Sequence, residues 1–278
     1  MPSPFSLFRK KSTTRTFKDF YAEWFDTLKN NLLPLLRQSL SSPLHTLISF
    51  RIDLLLQHFL SYYDSLDLAA SSDVSYLLFP SSWRNPLEIP FLFLGDLHPY
   101  LFTNLLRSFI DEANNRRDED DGETDGFLPS GRNQIGQNLE FLDKPWQFPV
   151  AWKNPSKSMI TRIEQIECGL RLMVPGLVSR VRKAQAAIMG KIAEDCVSCE
   201  GKKKEIDEAV KEEMEEMVAV FLDANRLRRT VISEIIDPTN VYQGALFLEA
   251  LSQFLVGFRD PILLAEFERC NMPILRFC

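Results

Sequence analysis

Glycine is scarce in this sequence. Only 11 occur in 278 residues, fewer than the turns and phosphate-cradling loops of a parallel-sheet enzyme of this size need. Cysteine is scarce as well. The five thiols, Cys168, Cys196, Cys199, Cys270 and Cys278, are odd in number and widely spread, which excludes a disulfide framework and fits reduced thiols in a cytosolic or nuclear protein. No apolar run follows the N-terminal residues, Pro2 stands where myristoylation needs glycine, and Cys278 comes too late for a prenylation box. The longest apolar candidate for a membrane span, 87–110, is broken by Glu88, Pro90, Asp96, His98 and Pro99. Each charge near a bilayer centre costs roughly 2.5–3.5 kcal/mol, so the expectation is a soluble or at most peripherally attached chain. Nor is there an excess of positive charge. The net charge is −6, and the one dense basic tract is Arg9, Lys10, Lys11 and Arg15 at the N-terminus, so direct nucleic-acid binding is not expected. Finally, no segment alternates apolar and polar residues strongly enough to define a sheet.

What remains is helical patterning. Residues 1–16 read as a basic, disordered tail, with Ser12, Thr13 and Thr14 placed where a kinase could act next to the basic cluster. Residues 17–278 read as a single helical domain. Phe17, Phe20, Tyr21, Trp24, Leu28, Leu32 and Leu35 recur every three or four residues, with Pro34 as an expected kink. Leu44, Leu47, Ile48, Ile52, Leu55, Phe59 and Tyr62 give a second stripe, ending in a Ser-rich connection near Ser71. The proline-bounded segment from Trp83 reads as two short helices separated at Gly95, with Pro99 opening the second. Two long stripes follow: Ile160 to Ile188, with Pro175-Gly176 as an expected kink, and Ile206 to Ile235. A final helix is announced by Asp237-Pro238-Thr239-Asn240. The fold class is all-α, a multi-helix bundle.

An irregular stretch at about 111–156 interrupts the bundle. The segment from Asp111 to Gly126 holds eight acidic residues against Arg116 and Arg117, which alone accounts for the net charge. Asp118, Glu119, Asp120, Asp121, Glu123 and Asp125 are a candidate docking patch for a basic partner. They lack the spacing of a calcium loop. The aromatics of the second half, including Trp146 and Trp152, are expected to pack back onto the body.

Catalytic and metal chemistry find no support. Cys196-Val197-Ser198-Cys199 is half of a zinc site with no second pair of ligands. Asp96 and His98, two residues apart, do not face each other on a helix. Asp96 reads as a turn cap and His98 as a surface or hydrogen-bonded histidine, while His58, among Leu54, Leu55 and Phe59, reads as packed. No phosphate loop or nucleophile elbow occurs. The expectation is a non-enzyme without cofactor or metal.

Several blocks resemble the plant seed-dormancy-control domain family, which includes the C-terminal part of the TGA-type factors. They are Phe20-Tyr21-Ala22-Glu23-Trp24; Pro86-Leu87-Glu88 with Phe91-Leu92-Phe93-Leu94-Gly95 and Pro99; Arg226 to Arg229; and Pro238 through Gln243 and Ala245. The resemblance spans roughly 17–261, and it implies a mainly structural role for Phe20, Tyr21, Trp24, Pro86, Glu88, Phe91, Leu92, Gly95, Pro99, Pro238, Gln243 and Ala245. The basic tail, the acidic middle and the absence of a zipper look most like the branch acting in pollen apertures. That likeness implies a non-enzymatic scaffold that marks plasma-membrane domains through protein–protein contacts. Its partners would be a related family member or a membrane-associated kinase, with peripheral membrane association. Localisation would be cytoplasmic, with recruitment to plasma-membrane domains. The alternative is a nuclear transcriptional co-regulator without its own DNA-binding region. Haem binding within the family rests on histidines of the C-terminal half, and here His45, His58 and His98 all precede residue 100.

Overall fold

Thr16 opens the first helix by a reciprocal cap: its hydroxyl accepts from the Asp19 N–H while the Asp19 carboxylate reaches back to the Thr16 N–H. The computed structural model from which this geometry comes describes residues 15–41, 44–120, 151–197 and 203–269. Among them are eight α-helices: α1 (Phe17–Thr27), α2 (Leu33–Leu40), α3 (His45–Leu78), α4 (Tyr100–Asp120), α5 (Lys157–Val197), α6 (Lys203–Ile236), α7 (Val241–Gly257) and α8 (Pro261–Arg269).

The kink expected at Pro34 is taken up one turn earlier. Leu28–Leu32 form a π segment in which the Leu33 N–H bonds to the Leu28 carbonyl. The wider turn precedes a residue with no N–H to give, so α1 and α2 stay nearly continuous. The connection expected near Ser71 falls two residues later: the path of α3 to Leu78 is broken at Asp73 (φ −160°, ψ 90°), whose carboxylate then accepts from the Tyr76 N–H at 3.0 Å and restarts the helix. Helix α5 continues through Pro175.

Two further expectations are corrected. The segment around Gly95 is a 3₁₀ turn (Ile89–Phe91) followed by a two-residue antiparallel hairpin, β1 (Leu92–Phe93) and β2 (Asp96–Leu97), and not a pair of helices. Leu94 (φ 48°) and Gly95 (φ 83°) both adopt left-handed backbone, which makes a mirror-image hairpin turn. Leu94 sits where asparagine is the usual signal, which hid the turn among apolar residues. Pro99 does precede the next helix, as its N1 chemistry demands. In addition, the irregular stretch does not begin at 111: α4 carries the backbone to Asp120. Asp118, Glu119 and Asp120 are therefore on a helix, while Asp121, Glu123 and Asp125 lie outside the described residues, as does the basic tail through Thr14. Of the aromatics expected to fold back, Trp152 does so, fully buried 5.3 Å from Phe109.

The core is organised around α7. Asn240 caps it in a second reciprocal box with Gln243, and every residue from Gln243 to Ser252 is buried. A helix apolar on all sides must be enclosed by others; here α2, α3 and α4 enclose it, and α6 packs on α3 with α5 outside it. The one buried acid of α7, Glu249, is met by Arg37 from α2 at 2.8 Å. Arg107 grips Glu167 with two bonds of 2.8 and 3.0 Å between α4 and α5, and Arg180 joins α5 to Glu216 and Asp223 of α6. No single helix among the described residues is long and apolar enough to cross a membrane.

Gly95 is the tightest point. A Cβ there would lie 2.5 Å from the Leu77 carbonyl oxygen and 2.8 Å from the Phe221 ring, on backbone that L-residues avoid. Gly95→Ala is expected to cost about 2–4 kcal/mol, the sum of overpacking and left-handed strain, read as a lowered urea midpoint with an unchanged slope.

Candidate functional site

Arg84 sits in the loop after α3 with its side chain almost without solvent access. A buried guanidinium requires partners, and four elements supply them to its two terminal nitrogens, while Nε is buried with no hydrogen-bond partner among the described residues. One terminal nitrogen donates to Glu88 at 3.1 Å and to the Tyr21 hydroxyl of α1 at 3.3 Å. The other donates to the Tyr62 hydroxyl of α3 at 2.6 Å and to Asp96 of β2 at 2.8 Å. Tyr62 and Tyr21 in turn donate to Asp96 and Glu88, and the Tyr21 and Trp83 rings lie within 5.0 Å of the Arg84 carbon. Burial opposes the charge on Arg84, but Tyr62, Asp96, Tyr21 and Glu88 outweigh that penalty and hold it well above the usual arginine range. Burial pushes the Tyr21 hydroxyl up to about 12, so it stays a neutral donor. Asn85 closes the far side, bridging Glu88 to the Phe258 carbonyl at the end of α7.

Arg228 of α6 occupies the other side of the hairpin. It donates to the backbone carbonyls of Phe93, Leu97 (2.7 Å), Leu94 and Asp96, and to the Asn225 side chain at 2.8 Å. With carbonyl dipoles around it in place of a carboxylate, burial lowers its pKa. The tiny sheet is therefore pinned by two cations: Arg84 through a side chain, Arg228 through main chain. A void of about 10 Å³ beside Tyr21, Tyr62, Arg84 and Asp96 leaves space for about one water. This is a bolt, with no room for a substrate.

A second polar pair joins α1 to α3. The Trp24 indole N–H donates to the His58 carbonyl and His58 Nε2 donates to the Trp24 carbonyl, both at 3.0 Å, with the rings stacked at 4.9 Å. That assigns the proton of neutral His58 to Nε2. Burial lowers the His58 pKa below 6.5, against the smaller opposing pull of the Trp24 carbonyl.

The motif residues read from the sequence thus have structural tasks. Tyr21, Trp24, Glu88 and Gly95 belong to the bolt or its neighbourhood. Phe20 packs on Phe17, and Phe91 meets Phe254 and Phe258 at the end of α7. Leu92 pairs with Leu97. Gln243 caps α7 and donates to the Ala151 carbonyl at 2.9 Å, Ala245 and Pro99 are buried, Pro238 is half-buried, and Pro86 lies exposed in its turn. Sequence reasoning missed Arg84, picked out Arg228 only as part of the block Arg226 to Arg229 without a role, and misread Asp96, which is a buried charge partner and not a turn cap. The signal available for Arg84 was an arginine beside Trp83 inside a proline-bounded, otherwise apolar stretch. Among the described residues, no three His, Cys, Asp or Glu side chains gather as a metal site, and Cys168 is free and exposed. Cys196 and Cys199 carry no described side chain.

The family model described as seed dormancy control matches residues 32–108, the stretch that holds Arg84 and the short hairpin. Over 285 aligned residues the chain is 50% identical to Protein INAPERTURATE POLLEN1 of Arabidopsis thaliana, covering 97% of this chain and 99% of that protein. It is 32% identical over 264 residues to Protein INAPERTURATE POLLEN 1 homolog of Oryza sativa subsp. japonica, covering 92% and 90%. The chain belongs to the INAPERTURATE POLLEN1 family.

Arg84→Met should cost about 3–5 kcal/mol, because Asp96 loses its ion-pair partner in the interior and Glu88 keeps only Arg259, 3.9 Å away. Adding Glu88→Gln and Asp96→Asn should recover part of that loss in the same denaturation assay. A triple variant no more stable than the single one would refute charge pairing as the cause. For His58, the unfolded chain binds more protons than the folded one just below pH 6.5, so His58 contributes stability above that pH and loses it as the pH falls. The melting temperature of His58→Phe should therefore fall less than that of the unmodified protein between about pH 7.5 and pH 5.5.

Proposed function

We propose that this protein acts in pollen aperture formation as a non-enzymatic scaffold, helping to specify plasma-membrane domains through contacts with other proteins. The observation that carries the reading is the 50% identity to Protein INAPERTURATE POLLEN1 along essentially the whole chain. Identity of that extent covers the surface as well as the core, and core packing alone would not require it. The geometry supports a binding role: the buried carboxylates Glu88 and Asp96 are taken up by Arg84 and the tyrosines beside it, and the long α5–α6 pair offers helical faces for recognition. The acidic residues Asp118, Glu119, Asp120, Asp121, Glu123 and Asp125 remain the proposed docking patch for a basic partner. That partner would be a related family member or a membrane-associated kinase, with the protein held peripherally at the membrane and otherwise cytoplasmic.

The test is complementation. Expressed with a fluorescent tag in Arabidopsis thaliana lacking its relative, the protein should restore apertures and collect in membrane patches. The same protein with all six acids neutralised should keep its melting temperature and lose the patches. Steady nuclear accumulation without patches would favour a transcriptional co-regulator and overturn the scaffold reading.

A further inference from the structure

One opening is much larger than the void beside the bolt. A groove of about 530 Å³ lies between the start of α1 and the far end of α3, bordered by Arg15, Phe17, Phe20, Leu68, Asp73 and Tyr76. Its apolar wall is left uncovered: Leu68 is 77% exposed, among the most exposed large apolar side chains described. It forms where α3 breaks at Asp73, and the exposed Asp73 carboxylate adds a negative charge to its rim. Arg15 is held by an ion pair with Glu23 and lies 5.4 Å from the Phe20 ring centre. The point at which the preceding chain leaves the body is therefore fixed at the edge of the groove.

We propose that the groove is the docking site of this chain's own N-terminal segment, residues 1–14, with Phe5, Leu7 and Phe8 on the apolar wall and Arg9, Lys10 and Lys11 towards Asp73. The composition of the segment matches the groove twice, apolar to apolar and cation to carboxylate. Its reach suffices: the seven steps from Phe8 to Arg15 span up to about 25 Å when extended, against an edge of about 8 Å for a cube of the groove's volume. Tethering also decides between occupants. A segment attached at the rim has an effective concentration in the millimolar range, so a contact too weak for a separate partner is filled intramolecularly. Docking masks the basic cluster against the body, and release presents it to acidic surfaces.

The full-length protein with photoreactive benzoylphenylalanine in place of Phe8, irradiated in dilute solution and mapped by mass spectrometry, tests this. Crosslinks should fall on the α3 stretch from Ser65 to Leu77 and within single chains. Leu68→Asp should lower their yield about tenfold, since burying one leucine is worth at least that factor. Asp73→Asn, which keeps an oxygen for the Tyr76 N–H and removes the charge, should lower it by about twofold, and added salt should do the same. Crosslinks elsewhere on the body, crosslinks between isotopically distinguished copies, or a yield unmoved by both substitutions would overturn the proposal. The map from the protein with α3 unaltered is decisive whatever the stability of the variants.

Discussion

Two guanidinium groups without access to water govern the middle of this protein. Removing such a charge from solvent costs several kcal/mol even after relaxation, and the cost is recovered only when all the partners stand in place together. For Arg84 these are Tyr21, Tyr62, Glu88 and Asp96; for Arg228 they are the carbonyls of the hairpin. Helices α1, α3 and α6 and the loop after α3 are thus selected jointly. An arrangement with one of them displaced leaves a buried ion unmatched. The apolar contacts around α7 are larger in area, but they tolerate sliding; the arginines do not. The hairpin, which buries little and spans four paired residues, exists because Arg228 occupies its carbonyls and Asp96 within it answers Arg84.

That arrangement explains which parts of the architecture were legible in the sequence. The helices announce themselves through three- and four-residue spacing and through caps whose chemistry is local, such as Thr16 with Asp19 and Asn240 with Gln243. Asp96 is different. Its neighbours in sequence suggest a turn, and only contacts 12 and 34 residues away, to Arg84 and Tyr62, reveal a buried carboxylate. Ser71 and Ser72 read as a connection, and the break does come, at Asp73; beyond it Val74 and Leu77 extend the buried face of Leu66 and Ala70. Beyond Asp111 polar composition does not end the helix: Ala113 is still buried, and α4 carries the backbone through Asp118, Glu119 and Asp120. The charge of this stretch was legible; the helical backbone of Asp118, Glu119 and Asp120 was not.

The family signature turns out to describe folding more than activity. The residues that carry the resemblance cap, stack, bridge or fill, and the seed-dormancy-control match covers 32–108, the stretch that contains Arg84, Glu88, Gly95 and Asp96. Whatever separates the INAPERTURATE POLLEN1 family from other seed-dormancy-control proteins should therefore be sought on outward faces and in the segments flanking that stretch. The groove by Leu68 and the acids after Asp111 are both of that kind.

The position of α7 in the chain has a consequence for biosynthesis. Helices α2, α3 and α4, which close around it, all precede it in the chain. While its segment is still being made, α3 can already pack on α6 and α6 on α5, but the faces that α2, α3 and α4 turn towards α7 stay uncovered and open to chaperones until it arrives.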